Sequence, residues 1–355
     1  IVEVVDRSGG FNFVRHLLKT SNKRALLWRI AVMTFLLSAI LDNLTTSIVM
    51  IMLLRKLVPS HVDRMIYGAV IIVAANSGGA FSPIGDVTTI MLWNMNLVTA
   101  SGIILKLLLP SLVSMVIPVA LLQFMLNGEL SVAMADGDTI DTDSRLTDCQ
   151  RKAVFILGVG GLISVPVFRA ITGLSPFMGI LLVLAVLWIT TEVFYRNASD
   201  DNEHTTGRVG SLLSHIDMAT ILFFLGILMA VNCLRQIGVL SLTGEWLDRT
   251  SGGNHYIVTA IIGVLSSIVD NVPLVAGCIG MYPVAEAGAF AIDGVFWQLL
   301  AYCAGVGGSI LIIGSAAGVV VMGLEKISFG WYMRHITPVV IAGYLAGMVC
   351  YMICN

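Results

Sequence analysis

Nine apolar runs follow one another along this chain: residues 30–54, 66–98, 103–126, 153–168, 177–195, 215–232, 255–285, 297–326 and 336–354. A helix needs about 20 such residues to cross the hydrocarbon of a bilayer, whereas a barrel strand shows about ten with strict alternation. The runs do not alternate, so they read as helices. Composition closes the other routes. Of 355 residues 57% are hydrophobic and only 12% charged, against about 25% charged in soluble domains. That is too little for a polar shell, so soluble, disordered, collagen-like and nucleic-acid-binding classes drop out. The fold class is an all-α polytopic membrane protein. The net charge of −2 says nothing about partners.

Several runs are flawed at their centres. Residues 30–54 carry Asp42-Asn43, 255–285 carry Asp270-Asn271, 66–98 are broken from Asn76 to Asp86, and 297–326 contain Gly305-Val-Gly-Gly-Ser. Pro110 and Pro118 predict kinks in 103–126, and 153–168 is rather short for a span. Two polar segments, 127–152 and 196–214, read as solvated loops, and Gln236 to Thr250 alternates as an interfacial helix does. The cysteines Cys149, Cys233, Cys278, Cys303, Cys350 and Cys354 form no C-x-x-C pair. They read as small, buried, inert thiols, and no cofactor is expected.

The strongest signal is an internal repeat. Leu37-Ser-Ala-Ile-Leu-Asp-Asn-Leu-Thr45 matches Leu265-Ser-Ser-Ile-Val-Asp-Asn-Val-Pro273 at an offset of 228 residues (270 minus 42). Gly78-Gly-Ala-Phe-Ser-Pro-Ile-Gly-Asp86 matches Gly307-Gly-Ser-Ile-Leu-Ile-Ile-Gly-Ser315 at 229 (307 minus 78). The second half begins near Ala153, so the expectation is that some 75 residues of the first half (153 minus 228) lie upstream of Ile1. If 30–54 and 255–285 are re-entrant hairpins, five crossings separate them and the second enters from the opposite face. That is an inverted-topology repeat. Charge agrees with it. Sixteen of the 20 basic residues then fall on the first hairpin's side and four on the other. The first side, with loops 127–152 and 196–214, is therefore cytoplasmic.

Charge inside a membrane is expensive, yet Asp42, Asp86 and Asp270 lie within apolar runs, each beside an amide or helix breaker: Asn43, Gly85, Asn271. Broken helices expose orphan N–H and C=O groups to a ligand. Carboxylates, carbonyls, amides and hydroxyls are hard oxygen ligands suited to Na⁺ or Li⁺. No intramembrane Lys or Arg lies near these motifs to neutralise them, so their natural counter-charge is a metal cation or a proton. One group that accepts either, and crosses only when loaded, performs obligatory exchange. Capping is the plainer reading of Asp42, Asp86 and Asp270, and helix packing that of Thr45, Thr46, Thr88, Thr89, Ser309 and Ser315. Gly78-Gly79 and Gly307-Gly308 serve either helix unwinding, favoured by the nearby Pro83 and Gly85, or close packing.

The four segments together resemble the ion transporter superfamily, most nearly the NhaD-type sodium/proton antiporters. The likeness is carried by Leu41-Asp-Asn-Leu-Thr-Thr46, by Asn76-Ser-Gly-Gly-Ala-Phe-Ser-Pro-Ile-Gly-Asp-Val-Thr-Thr-Ile-Met-Leu-Trp93, by Ser267-Ile-Val-Asp-Asn-Val-Pro273 and by Gly307-Gly-Ser-Ile-Leu-Ile-Ile-Gly-Ser-Ala-Ala-Gly318. The resemblance implies Na⁺ or Li⁺ expelled against entering protons, a homodimer with an elevator-like motion, and a bacterial inner membrane. It implies ion or proton binding at Asp42, Asn43, Thr45, Asp86, Thr88, Asp270, Asn271, Ser309 and Ser315, with Na⁺ at the three aspartates. The helix breaks fall at Gly78, Gly79, Pro83, Gly85, Gly307, Gly308 and Gly314. On this plan 1–29 ends a scaffold helix and interfacial segment, 30–98 and 255–328 form the transport domain, and 99–126 closes the first repeat. Residues 127–152 are a cytoplasmic loop, 153–254 the scaffold and interfacial helices of the second repeat, and 329–355 the last transmembrane helix. Rival readings are arsenite efflux, a dicarboxylate carrier (whose anion Asp42 and Asp270 would repel) and an intramembrane aspartyl protease. The protease would leave the duplicated Asp270 without a role.

Overall fold

A computed structural model describes residues 20–126, 146–198 and 218–355, and besides them Ile1, Val4, Val5, Ser8, Gly9, Leu18 and Gly128. The two polar loops lie mostly outside the described residues. In order the helices are α1 (Lys23–Ser38), α2 (Asn43–Leu57), α3 (His61–Ala80), α4 (Val87–Asn94), α5 (Ala100–Leu122), α6 (Asp148–Thr172), α7 (Pro176–Ala198), α8 (Met218–Gln236), α9 (Val239–Ser251), α10 (His255–Leu265), α11 (Asn271–Met281), α12 (Val295–Gly307), α13 (Ala316–Glu325), α14 (Phe329–His335) and α15 (Thr337–Cys354).

Among the described residues four stretches are long and apolar enough to cross a membrane: Ala100–Met125, Asp148–Thr172, Pro176–Tyr195 and Thr337–Cys354. The run at 153–168 is therefore not short. Thr147 and Gln150 form a capping box, so the polar residues from Asp148 extend the helix to 25 residues, and Gly173 (φ 67°) ends it. After α8 the chain turns 74° at Ile237-Gly238 into α9, the turn that a helix lying along an interface requires. The cysteines are not uniformly buried: Cys278 and Cys303 are, but Cys149, Cys233 and Cys354 are exposed.

The chain divides into two compact units. One comprises Ile1–Leu18 with Ala133–Leu222, the other Lys19–Val132 with Phe223–Asn355. In the first, α6 and α7 pack together, and Gly161 and Gly179 admit Val183 and Phe168. Outward residues such as Ile171 and Ile189 are exposed, as a lipid-facing surface demands.

In the second unit, α3 from Ile66 to Ala80 and α12 from Phe296 to Gly307 are buried on every side. Helices apolar all round belong in a core, and these two hold matching places in the repeat. The other elements surround them, and the matched contacts recur. Ser38 donates its hydroxyl to the Ala75 carbonyl at 2.6 Å, and Ser266 donates to Ala304 at 2.7 Å. A Cβ on Gly78 would strike the Phe35 carbonyl, and one on Gly307 the Gly263 carbonyl. The sequence repeat is thus a packing repeat. α5 packs along α15, where Gly343 meets the Pro118 ring and Gly347 meets the Pro110 carbonyl.

Two ties join the repeats at helix ends. Glu325, at the end of α13, is 1% exposed and accepts from Arg55 Nε at 2.6 Å and Arg64 Nε at 2.9 Å. Arg55 also reaches the Leu324 carbonyl, and His61 Nε2 lies 2.8 Å from the Glu325 carbonyl. The second tie is the symmetry-related contact: Asp293, which corresponds to Arg64 at the offset of 229, accepts from Thr99 N and Thr99 Oγ1, both at 2.7 Å, and its own N–H bonds the Leu97 carbonyl.

Candidate functional site

Each repeat has a turn between two helices, its tip, and a helix break. The tips are Ala39–Asp42 and Ser266–Asp270, and the breaks are Phe81–Asp86 and Gly308–Ser315. Pro83 lacks an N–H and its ring opposes the Gly79 carbonyl, so the first helix must end there. Gly78 and Gly79 themselves stay helical, and unwinding begins at Phe81. Gly307 likewise closes α12 in helical form. The expected unwinding at these glycines is corrected: their work is close packing under the tips. Gly85 and Gly314 sit within the breaks. A Cβ on Gly85 would lie 2.5 Å from the Ser38 carbonyl, and one on Gly314 would lie 2.6 Å from Ser267 Cα. The backbones of tip and break therefore touch.

Asp86 stands where the four pieces meet and is 1% exposed. Its Oδ1 accepts from Thr88 N at 3.2 Å, capping α4. Its Oδ2 accepts from Asn43 Nδ2 at 3.3 Å and from Asn271 Nδ2 at 3.1 Å. The two tip asparagines, each the first residue of its helix, thus reach one carboxylate from opposite repeats. Asn76 ties the rest together. Its Oδ1 accepts from Asn43 Nδ2 at 3.1 Å, and its Nδ2 donates to Ser309 Oγ and Ser315 Oγ, both at 2.9 Å. Asn43, Asn76, Asn271, Ser309 and Ser315 are all buried.

The predicted residues therefore fall into two sets. Asn43, Asp86, Asn271, Ser309 and Ser315 converge, with Thr88 bonded to Asp86 through its backbone. Asp42 and Thr45 serve a local cap: Thr45 N and Oγ1 donate to the Asp42 carboxylate at 2.8 and 2.6 Å. Asp270 is half-buried at the start of α11 and its side chain makes no capping bond. Among the described residues no three His, Cys, Asp or Glu side chains converge to hold a metal ion. In this arrangement the Asp42 carboxylate is bonded to Thr45 of its own helix. Ser315 Oγ has both lone pairs occupied, by Asn76 Nδ2 and by Gly318 N at 3.2 Å, so in this arrangement it is a brace.

Asn76 was missing from the predicted ligands, although it stands ten residues before Asp86 in a quoted motif. The signal was there: an amide within a helix otherwise apolar from Ile66 to Ala75. Gly305, its counterpart in the other repeat, brings the α12 backbone against Asp86, with Oδ2 3.6 Å from where its Cβ would be.

Residues 1–301 match the family model described as citrate transporter. "Sodium/proton antiporter 1" of Arabidopsis thaliana is 45% identical over 352 residues, covering 99% of this chain and 59% of that protein. "Sodium/proton antiporter 2" of the same plant is 43% identical over 353 residues, 99% of this chain and 82% of that protein. The "Na(+)/H(+) antiporter NhaD" of Vibrio parahaemolyticus is 32% identical over 347 residues, 90% and 79%. The chain thus spans somewhat under two thirds of the first plant relative. The resemblance to NhaD-type antiporters is borne out by these relatives, and family and relatives alike are transporters, not enzymes. With apolar helices long enough to span and a family match over most of its length, the chain is an integral membrane protein that belongs to the citrate transporter family.

Proposed function

We propose that the protein exchanges Na⁺ or Li⁺ for H⁺ at Asp86. The observation that carries this is a carboxylate 1% exposed whose hydrogen-bond partners, Asn43, Asn271 and Thr88 N, are all neutral. A buried carboxylate needs a compensating charge. A proton supplies it by a covalent bond to oxygen, and an alkali cation by coordination, so one group carries one or the other. Each asparagine amide has a donor and an acceptor face. The donor faces meet Asp86 here, and a half-turn of either amide would present an oxygen to a cation instead. The antiporter relatives support the ion pair named. An anionic cargo such as citrate would be repelled by Asp86, Asp42 and Asp270.

The mechanism is alternating access by two hairpin tips entering from opposite faces, with 30–98 and 255–328 as the transport domain. Residues 1–29 and 153–254 serve as scaffold in a homodimer. Relatives occur in a plant and in bacteria, so the setting is an ion-tight membrane of either kind of cell. The test is Na⁺-driven collapse of a pH gradient in proteoliposomes. Asp86→Asn, which keeps shape and loses charge, should abolish it. Exchange that persists in that variant would sink the reading.

A further inference from the structure

We propose that the tip of the second repeat, Ser266–Asp270, is the gate of the site: it lifts away from Asp86 to admit and release the ion, while the tip of the first repeat, Ala39–Asp42, stays fixed. This goes one step beyond the exchange reading above and rests on it.

The repeat supplies the comparison. At the offsets of 228 and 229, Thr45 corresponds to Pro273, Ser82 to Leu311 and Asn76 to Gly305. Each of these differences removes something that holds the first tip. Ser82 Oγ donates to the Ala39 carbonyl and pins tip to break, but Leu311 has no hydroxyl. Thr45 N and Oγ1 hold the Asp42 carboxylate at 2.8 and 2.6 Å, but Pro273 has neither an N–H nor a hydroxyl to offer. Asp270 is left to the N–H groups of Asn271 and Val272, which approach it without making a capping bond. Asn43 Nδ2 reaches both Asn76 Oδ1 and Asp86. In the second repeat Gly305 has no side chain to match Asn76, and among the described residues Asn271 Nδ2 bonds Asp86 alone.

Burial follows the bonds. Leu37 and Leu41, at the first tip, are 6% and 2% exposed, whereas their counterparts Leu265 and Val269 are 44% and 46% exposed. Few bonds and few buried apolar contacts mark a segment that opens at low cost, and moving lids are drawn from such segments. The foot of the second tip is held as firmly as that of the first: Ser266 bonds the Ala304 carbonyl as Ser38 bonds that of Ala75. Motion is therefore concentrated beyond Ser266, in Ser267–Asp270. The tether of that segment to the site is the Asn271 bond to Asp86, the group whose charge changes during exchange. Occupancy of Asp86 and opening of the second tip are thus one coupled event.

The experiment is deuterium uptake of the full chain in one detergent at fixed pH, paired with transport in proteoliposomes. Local bonds match at the two tips: Ile40 N and Leu41 N bond Leu37 O, and Ile268 N and Val269 N bond Leu265 O. A difference in uptake therefore reports opening of the whole tip. Amides 268 and 269 should take up deuterium about tenfold faster or more than amides 40 and 41, the scale of the missing bonds, and saturating Na⁺ should slow 268 and 269 only. Pro273→Thr, which offers Asp270 the partners that Asp42 has, should slow uptake there about tenfold. It should also lower the maximal transport rate, with the apparent KM for Na⁺ unchanged or lower. Ser82→Ala should speed uptake at 40 and 41 and leave the maximal rate unchanged. Equal uptake at the two tips of the parent protein, or an unchanged maximal rate in Pro273→Thr, would overturn the gate while Asp86→Asn still abolishes transport. Transport that survives Asp86→Asn would instead remove the exchange reading and leave the difference in uptake between the tips standing.

Discussion

Glu325 is the sharpest place to test the architecture. Its carboxylate is 1% exposed and lies between Arg64, 19% exposed, and Arg55, 45% exposed. Replacing it by Gln keeps the shape and strands two guanidiniums against the helix ends. Removing one partner of a buried pair costs about 3–5 kcal/mol. The half-exposed Arg55 recovers solvation, and its bond to Leu324 and the His61 contact to the Glu325 carbonyl persist. The expected loss is therefore about 2–3 kcal/mol. Arg64→Gln alone should cost less, about 1–2 kcal/mol, because Glu325 keeps Arg55. The double variant removes a charge of each sign and should lose clearly less than the two single losses added, by about 1 kcal/mol or more. The assay is the unfolding midpoint and resistance to limited proteolysis of each variant in one detergent. Strict additivity, or a Glu325→Gln protein as stable as the parent, would refute the tie between repeats.

Four further outcomes follow from the same geometry. Gly78→Ala and Gly307→Ala should each prevent folding, since the new Cβ meets a carbonyl, whereas Gly323→Ala, which meets nothing within 4 Å, should stabilise α13 by up to about 1 kcal/mol; expression and monodispersity separate them. Ser38→Ala and Ser266→Ala should cost similar amounts, about 1 kcal/mol each, because they break matching bonds; a cost at one only would deny the packing repeat. Asp42→Asn should retain the α2 cap and most activity, and Asp42→Ala should lose about 1 kcal/mol of stability; abolished exchange in Asp42→Asn would place Asp42 in the ion site. Gly305→Ala would set a methyl 3.1 Å from Ala80 Cβ and in ordinary contact, 3.6 Å, with Asp86 Oδ2; it should lower Na⁺ affinity by displacing α3 slightly, without loss of expression, checked by Na⁺ titration.

The helix breaks and the tips were legible because they set charge and Gly against an apolar background, and the repeat was legible because Ser38, Asp42, Asn43 and Gly78 each have a counterpart. What pairs with what was less so. Glu325 read as an ordinary span-end acid because Arg55 and Arg64 stand more than 250 positions earlier, and no local pattern encodes that distance. The three aspartates looked equivalent in sequence. The fold separates them: Thr45, three residues after Asp42, donates its N–H and hydroxyl to the Asp42 carboxylate, whereas Thr89, three residues after Asp86, donates its hydroxyl to the Asp86 backbone carbonyl and leaves the carboxylate to the two asparagines and Thr88 N. Gly78-Gly79 read as a break because glycine disfavours helices. The close approach of Phe35, which needs tertiary structure to see, outweighs that preference.

The reach of Asn76 has a consequence for how the protein is made. Its partners Ser309 and Ser315 lie 233 and 239 residues later in the chain. At ordinary translation speeds of about 5–20 residues per second, the nascent first half waits roughly 10–50 s for them. For that time Asn76 and Asp86 have none of their second-repeat partners, Asn271 included. The network around Asp86 is therefore among the last parts of the molecule to close.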